Sequence, residues 1–267
     1  MCGIAGIAAD PSGPRADVEA VGRMVAAMRH RGPDDSGAWS SSDGSLAVGH
    51  ARLSIIDVTR AAHQPMVSPD GRYVLAYNGE CYNFVELRRV LEAEGCAFRS
   101  RSDTEVVLHW LAARGPDGLA DLRGMYALAL WDSRERTLLL ARDPFGIKPL
   151  YYARPQGVRL AFASEVRGLL AGDMAAPRLD RAALADYLLY GFICEPRTIV
   201  EGVRMLDPGG WLRLGPDGSL RSGSTAGDLF PRSDRPTPPH ELRDHFLKAV
   251  ESHLVSDVTI GAFLSGG

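Results

Sequence analysis

Cys2 is the residue of this chain best placed to do chemistry, because removal of Met1 puts its thiol and a free α-amine on one carbon. A nucleophile then stands beside a base whose pKa, about 7.7–8.0 for a free α-amino group, lies close to working pH. Lysine titrates about 2.5 units higher and makes a poorer base there. On the tripeptide alone, a cysteine at this position reads more readily as an accident of composition than as a nucleophile. The residues after it, Gly3 to Ile7, are small or apolar, which suits a buried strand carrying the thiol into a site.

The elements that must position such a group can be traced along the chain. Val18, Val21, Val25 and Met28 recur at helical spacing and predict a helix over 16–29, ending at the turn-rich loop HRGPDDSG. Tyr73 to Tyr77 reads as a strand, Asn78-Gly79 as a turn, and Phe84 to Glu94 as a helix opened by Asn83 with Glu86 and closed by Gly95. Ser102 with Glu105 opens another helix, which stops at Gly115 and places Asp103 at a helix N-terminus. Tyr126–Trp131 and Thr137–Ala141 read as a hairpin, and Val158–Ala163 as a further strand. Asp180 caps a helix through Leu189, and short strands follow near Val203–Leu206 and Trp211–Leu214.

The boundaries expected from this texture are a first domain over 1–214, a Gly/Ser/Asp/Pro-rich linker over 215–239, and the beginning of a second domain over 240–267. Thr237-Pro238 opens a helix with Leu242, Phe246, Val250 and Leu254 on one face, and Ile260–Gly267 reads as a strand entering a small-residue turn.

With 267 residues, 45% hydrophobic and 24% charged, the chain can bury a core. A net charge of −3 without a basic stripe gives no reason to expect nucleic acid. No positive leader and no membrane-length apolar run is present, so the expectation is a cytoplasmic protein without a membrane partner. Cys2, Cys81, Cys96 and Cys194 show neither a CxxC pair nor metal-ligand spacing, and no metal site is expected from them.

Nine words occur in order: MCGIAGI at 1–7, RHRGPDDSG at 29–37, ARLSIID at 51–57, YNGECYN at 77–83, SDTEV at 102–106, GMYALALWD at 124–132, RDPFGIKPLYY at 142–152, FASEV at 162–166 and FLSGG at 263–267. Together they resemble the glutamine-hydrolysing asparagine synthetases over nearly the whole chain. The resemblance implies an α+β fold, a four-layer αββα sandwich of two mostly antiparallel sheets of the N-terminal-nucleophile hydrolase type. The first elements of an α/β ATP-pyrophosphatase-like domain would follow.

It further implies that Cys2 attacks the side-chain amide of L-glutamine, with Asn78 and Gly79 donating to the oxyanion. Asn-Gly alone would be a hairpin turn. Arg52 matches the position that grips the substrate carboxylate, a task suited to a bidentate guanidinium. Glu80 and Asp103 match those that receive the ammonium, while Leu53, Ile55 and Ile56 line the pocket. Out of that context, Arg52 and Glu80 would be solvated surface charges, and Asp103 would merely favour a helix dipole. The loops Arg31–Asp35 and Arg142–Pro149 are characteristic words without individual roles, the second as readily structural as catalytic.

Ser265, Gly266 and Gly267 resemble the opening of the pyrophosphate loop of an ATP site. The resemblance therefore implies no cofactor for the glutaminase domain, but ATP and Mg2+ for a full-length synthetase. That enzyme would amidate aspartate or another carboxylate acceptor, with a homodimer as the candidate assembly. Two alternatives stay open: a secondary-metabolic amidotransferase acting on a different carboxylate, and a non-catalytic glutamine-binding module.

Overall fold

The computed structural model describes residues 1–11, 13–225 and 237–263. Alternation along its strands decides how the layers stack. In β1 (Gly3–Ala9), Ile4 and Ala8 face one way and Ala5 and Ile7 the other, as a side-chain period of two requires.

One sheet runs β10 (Val203–Met205), β8 (Tyr151–Ala153), β9 (Val158–Ala163), β1, β3 (Leu46–Arg52) and β2 (Asp35–Ser40) in spatial order. The other runs β12 (Leu220–Ser224), β11 (Gly210–Leu214), β7 (Thr137–Arg142), β6 (Gly124–Asp132), β5 (Tyr73–Cys81) and β4 (Met66–Val67). The described pairings within both sheets are antiparallel.

The facing sides of the sheets enclose a core of Ile4, Val48, Ala76, Ala129, Leu140 and Phe162. Helices α1 (Val18–Ala27) and α4 (Val166–Ala171) cover the outer face of the first sheet through Met24, Val25 and Leu169. Helices α2 (Phe84–Ala93) and α3 (Asp103–Arg114) cover the second through Leu87, Leu91, Val107 and Leu111. The result is the α+β sandwich in αββα layers. α5 (Arg181–Tyr190), capped by Asp180, and α6 (Pro239–Ser252) complete the α-helices of the described residues.

Several local expectations change. Asn78-Gly79 is not a turn: both lie inside β5, where they pair with Ala127 and Tyr126 of β6. A ladder continuing to Cys81 outweighs the dipeptide's local preference. Gly79 is there for closeness, since a Cβ would lie 2.5 Å from the Met125 carbonyl oxygen and 2.8 Å from the Tyr77 ring.

Asn83 makes no side-chain cap to α2. Its amide instead donates to the Asp121 carbonyl at 2.9 Å and accepts from the Arg123 N–H at 2.9 Å. Ser102 does cap α3 through the Thr104 N–H at 3.1 Å, but Glu105 turns away to accept the N–H groups of Arg99 and Ser100. The sheet also runs beyond residue 214, because β12 pairs with β11 inside the stretch expected to be linker. Residues 258–263 form no strand, having no sheet neighbour among the described residues; Ser265, Gly266 and Gly267 lie outside those residues. Among the described residues no helix is long and apolar enough to cross a membrane.

Candidate active site

Strand alternation carries the candidate residues to one end of the sandwich. Cys2 precedes β1 on the face of Ile4, and Arg52 ends β3 on the face of Val48; the pairing of Gly3 with Ala51 sets them side by side. From the opposite sheet, Asn78 and Glu80 continue the face of Val74 and Ala76. Cys2, Arg52, Asn78, Gly79, Glu80 and Asp103 all border one cavity of about 270 Å³, with Leu53, Ile55 and Ile56 completing its wall.

The thiol is held by backbone. The Leu53 N–H donates to Cys2 Sγ at 3.3 Å, and the thiol reaches back to the Leu53 carbonyl at 3.6 Å. Burial pushes the thiol pKa up, against the Leu53 N–H, the Met1 ammonium, Arg52 and Lys148, each of which lowers it. The Cys2 carbonyl accepts from Arg31 Nε at 2.8 Å, and Arg31 Nη1 pairs with Glu165 at 2.9 Å. Arg31, from a loop given no individual role by the sequence, thus anchors the N-terminus. Met1 is largely exposed, touching Arg31 only through a 3.8 Å contact to its sulfur, so its removal would leave that anchor intact.

Arg52 is buried and its guanidinium donates to the carbonyls of Thr59 at 3.2 Å, Ile56 at 3.4 Å and Asp57 at 2.5 Å. Those bonds fold the loop carrying Leu53, Ile55 and Ile56 around the guanidinium.

Asn78 is 1% exposed, yet its Nδ2 has no partner. A buried donor left open costs about 1–3 kcal/mol, so its partner is expected to be a bound group. The N–H groups of β5 on the side away from β6 form a series. That of Tyr77 goes to Gln64 Oε1 at 2.7 Å and that of Cys81 to Asp103 Oδ2 at 2.9 Å. Gly79 lies midway between them and, by the alternation of an antiparallel ladder, directs its N–H to the same side, at the cavity.

Asp103 is buried at the N-terminus of α3. Desolvation outweighs its bonds to the Cys81 and Thr104 N–H groups and raises its pKa to about 6.

Five further cavity residues were not picked out from the sequence: Gln64, Tyr77, Thr104, Met125 and Lys148. Gln64 bridges β5 to α3, since its Nε2 donates to Thr104 Oγ1 at 3.4 Å. Tyr77 has a buried hydroxyl lacking a partner. Lys148 stands in the word RDPFGIKPLYY, the one signal that pointed towards it.

A backbone-held thiol, two inward donors, a cation on one side and two carboxylates on the other suit attack on an amide of a small zwitterion. Comparison with known proteins gives the same direction. The family model of the glutamine amidotransferase domain matches residues 1–222, and that of asparagine synthase matches residues 241–267. The chain is 37% identical to asparagine synthetase [glutamine-hydrolyzing] 1 of Bacillus subtilis, over all of this chain and 42% of that protein. It is 38% identical to asparagine synthetase B of Escherichia coli, over 90% of this chain and 38% of that one. The chain therefore spans about two fifths of the length of these relatives. In fold it resembles the glutamine phosphoribosylpyrophosphate amidotransferase of B. subtilis, with a TM-score of 0.63 at 22% identity, over 85% of this chain and 50% of that one. Residues 1–222 make this chain a member of the glutamine amidotransferase domain family.

Proposed function

We propose that this chain hydrolyses L-glutamine to glutamate and ammonia through a thioester on Cys2, after removal of Met1. The observation that carries the reading is the buried, unpartnered Asn78 amide facing the same cavity as the Cys2 thiol. In this account Cys2 Sγ attacks the side-chain carbonyl carbon of glutamine while its proton passes to the Cys2 α-amine. The carbonyl oxygen, now negative, takes hydrogen bonds from Asn78 Nδ2 and the Gly79 N–H. Collapse breaks the C–N bond, and the α-ammonium returns the proton to the departing nitrogen, releasing ammonia. Water then attacks the thioester, the amine takes its proton, and the thiolate leaves and is reprotonated. Arg52 holds the substrate carboxylate, and Glu80 with Asp103 its ammonium.

The ammonia would be consumed by ATP-dependent amidation of aspartate or another carboxylate, with Mg2+, in the part of the protein that follows. This rests on the asparagine synthase match at 241–267 and on the two asparagine synthetases to which the chain is similar. The complete set of nucleophile and donors favours an enzyme over a glutamine-binding module.

The test is glutamate release from glutamine by the wild type and Cys2→Ala. The expected result is turnover by the first, none by the second, and unchanged circular dichroism. Full turnover by a folded Cys2→Ala protein would remove the mechanism.

A further inference from the structure

The loop between β7 and β8 is built with unusual expense for a surface turn. Asp143 is fully buried, and its carboxylate accepts the N–H groups of Phe145 at 3.1 Å, Ile147 at 2.9 Å, Lys148 at 2.9 Å and Tyr126 at 3.2 Å. Arg142, also buried, donates to the carbonyls of Gly146 at 2.6 Å and Lys148 at 3.2 Å and is itself held by Leu206 and Glu195. Gly146 adopts φ +64°, and a Cβ there would lie 2.8 Å from the Arg142 guanidinium, so this turn closes around the arginine. Phe145 and Ile147 from the same turn point outward and are more than half exposed, whereas Lys148 is 6% exposed and borders the Cys2 cavity. The device therefore delivers one side chain inward.

Lysine is almost never fully buried unless paired, yet Lys148 forms no ion pair with a described carboxylate. The two guanidinium groups of the site have protein partners. Arg31 is tied to Glu165 and the Cys2 carbonyl, and Arg52 to three loop carbonyls. Burial lowers the Lys148 pKa, while Glu80, Cys2 and Asp143 oppose that and Arg31 adds to it; at Cys2 the Met1 ammonium, Arg52 and Lys148 all oppose the effect of burial.

We propose that the Lys148 ammonium is a positioning charge of this site, holding the Cys2 sulfur towards its anionic form and remaining beside the negative charge that passes to the substrate oxygen. The inference rests on the glutaminase reading for its purpose, but the alkylation arm of its test does not. Burial alone leaves the thiol protonated at neutral pH; a nearby ammonium opposes that effect without taking part in a bond. The α-amine then needs to manage only the proton.

The experiment is site-resolved alkylation of Cys2 by iodoacetamide as a function of pH, read by mass spectrometry of the N-terminal peptide of the 267-residue chain, with glutamate release measured in parallel. Lys148→Met is expected to move the alkylation midpoint upward by about one pH unit or more, the scale of a lost neighbouring charge. It should lower kcat about tenfold with KM changed less than about twofold. Lys148→Arg should keep the midpoint within about 0.3 units, because it keeps the charge. Lys148→Gln serves if the methionine variant does not fold. An unmoved midpoint in a folded Lys148→Met or Lys148→Gln protein overturns the inference, as does a raised KM with unchanged kcat. A Lys148-dependent midpoint in a wild type that releases no glutamate supports the charge pairing and refutes the glutaminase reading. Turnover by the wild type with an unmoved variant midpoint refutes this inference alone.

Discussion

The sandwich and the segment after it treat apolar residues in opposite ways. Ile4, Leu75 and Phe162 of the sandwich are 0% exposed, whereas Phe246 on α6 is 67% exposed and no residue of that helix is buried. The segment nevertheless touches the site's rim. Asp257 accepts the Asp57 N–H at 2.7 Å and donates its own to the Ile55 carbonyl at 3.0 Å, and the His253 ring lies tilted against Tyr82 with centroids 4.2 Å apart. Depth of burial thus separates the part that builds the cavity from the part that leans against its loop. A catalytic arrangement must be held to a fraction of an ångström, and only the first region has the packing to do so.

The contrast can be broken at its strong end first. Phe162→Ala removes a ring from between the sheets and should cost about 3–5 kcal/mol in urea unfolding. A loss under about 1 kcal/mol would mean that the inter-sheet core is not what holds β1 and β9 together. Next in size, Asn78→Ala should lower kcat by about 10²–10³ while leaving the unfolding midpoint nearly unchanged, because its Nδ2 gives up no protein partner. Equal losses in stability and rate would instead make Asn78 a structural residue.

A smaller effect follows from Asp103. With a pKa of about 6, it becomes neutral as pH falls and then offers no charge to a substrate ammonium. KM for glutamine should therefore rise about tenfold between pH 7 and pH 5, and Asp103→Asn should raise KM and flatten that dependence. A wild-type KM constant over that range would separate Asp103 from the ammonium. Smallest of all, Phe246→Ala on α6 should change stability within about 0.5 kcal/mol. A loss comparable to that of Phe162→Ala would dissolve the distinction between the two regions.

Much of the site was readable because its residues sit in words whose order is specific, and the structure brings Cys2, Arg52, Asn78, Gly79, Glu80 and Asp103 to one cavity. Strand β1 was legible from its small apolar run, and α3 from Ser102. What misled was local chemistry overruled at distance. Asn78-Gly79 reads as a turn until the Met125–Tyr126 backbone of β6 is laid against it, and Asn83 reads as a cap until Asp121 and Arg123 claim its amide. Lys148 had no individual role in its word because nothing in sequence announces that Asp143 is buried beneath it. The Arg52 loop shows the same limit, since its fold depends on a guanidinium meeting three carbonyls that lie four to seven residues further along.

On the proposed mechanism the working chain begins at Cys2 with a free amine beside the thiol. Intact mass of the purified protein, taken on the same sample whose glutamate release is measured, decides whether that end forms. The expected sample lacks Met1 and releases glutamate from glutamine. A chain retaining Met1 that turns over glutamine just as fast would contradict the mechanism, as would a chain beginning at Cys2 that binds glutamine and releases none.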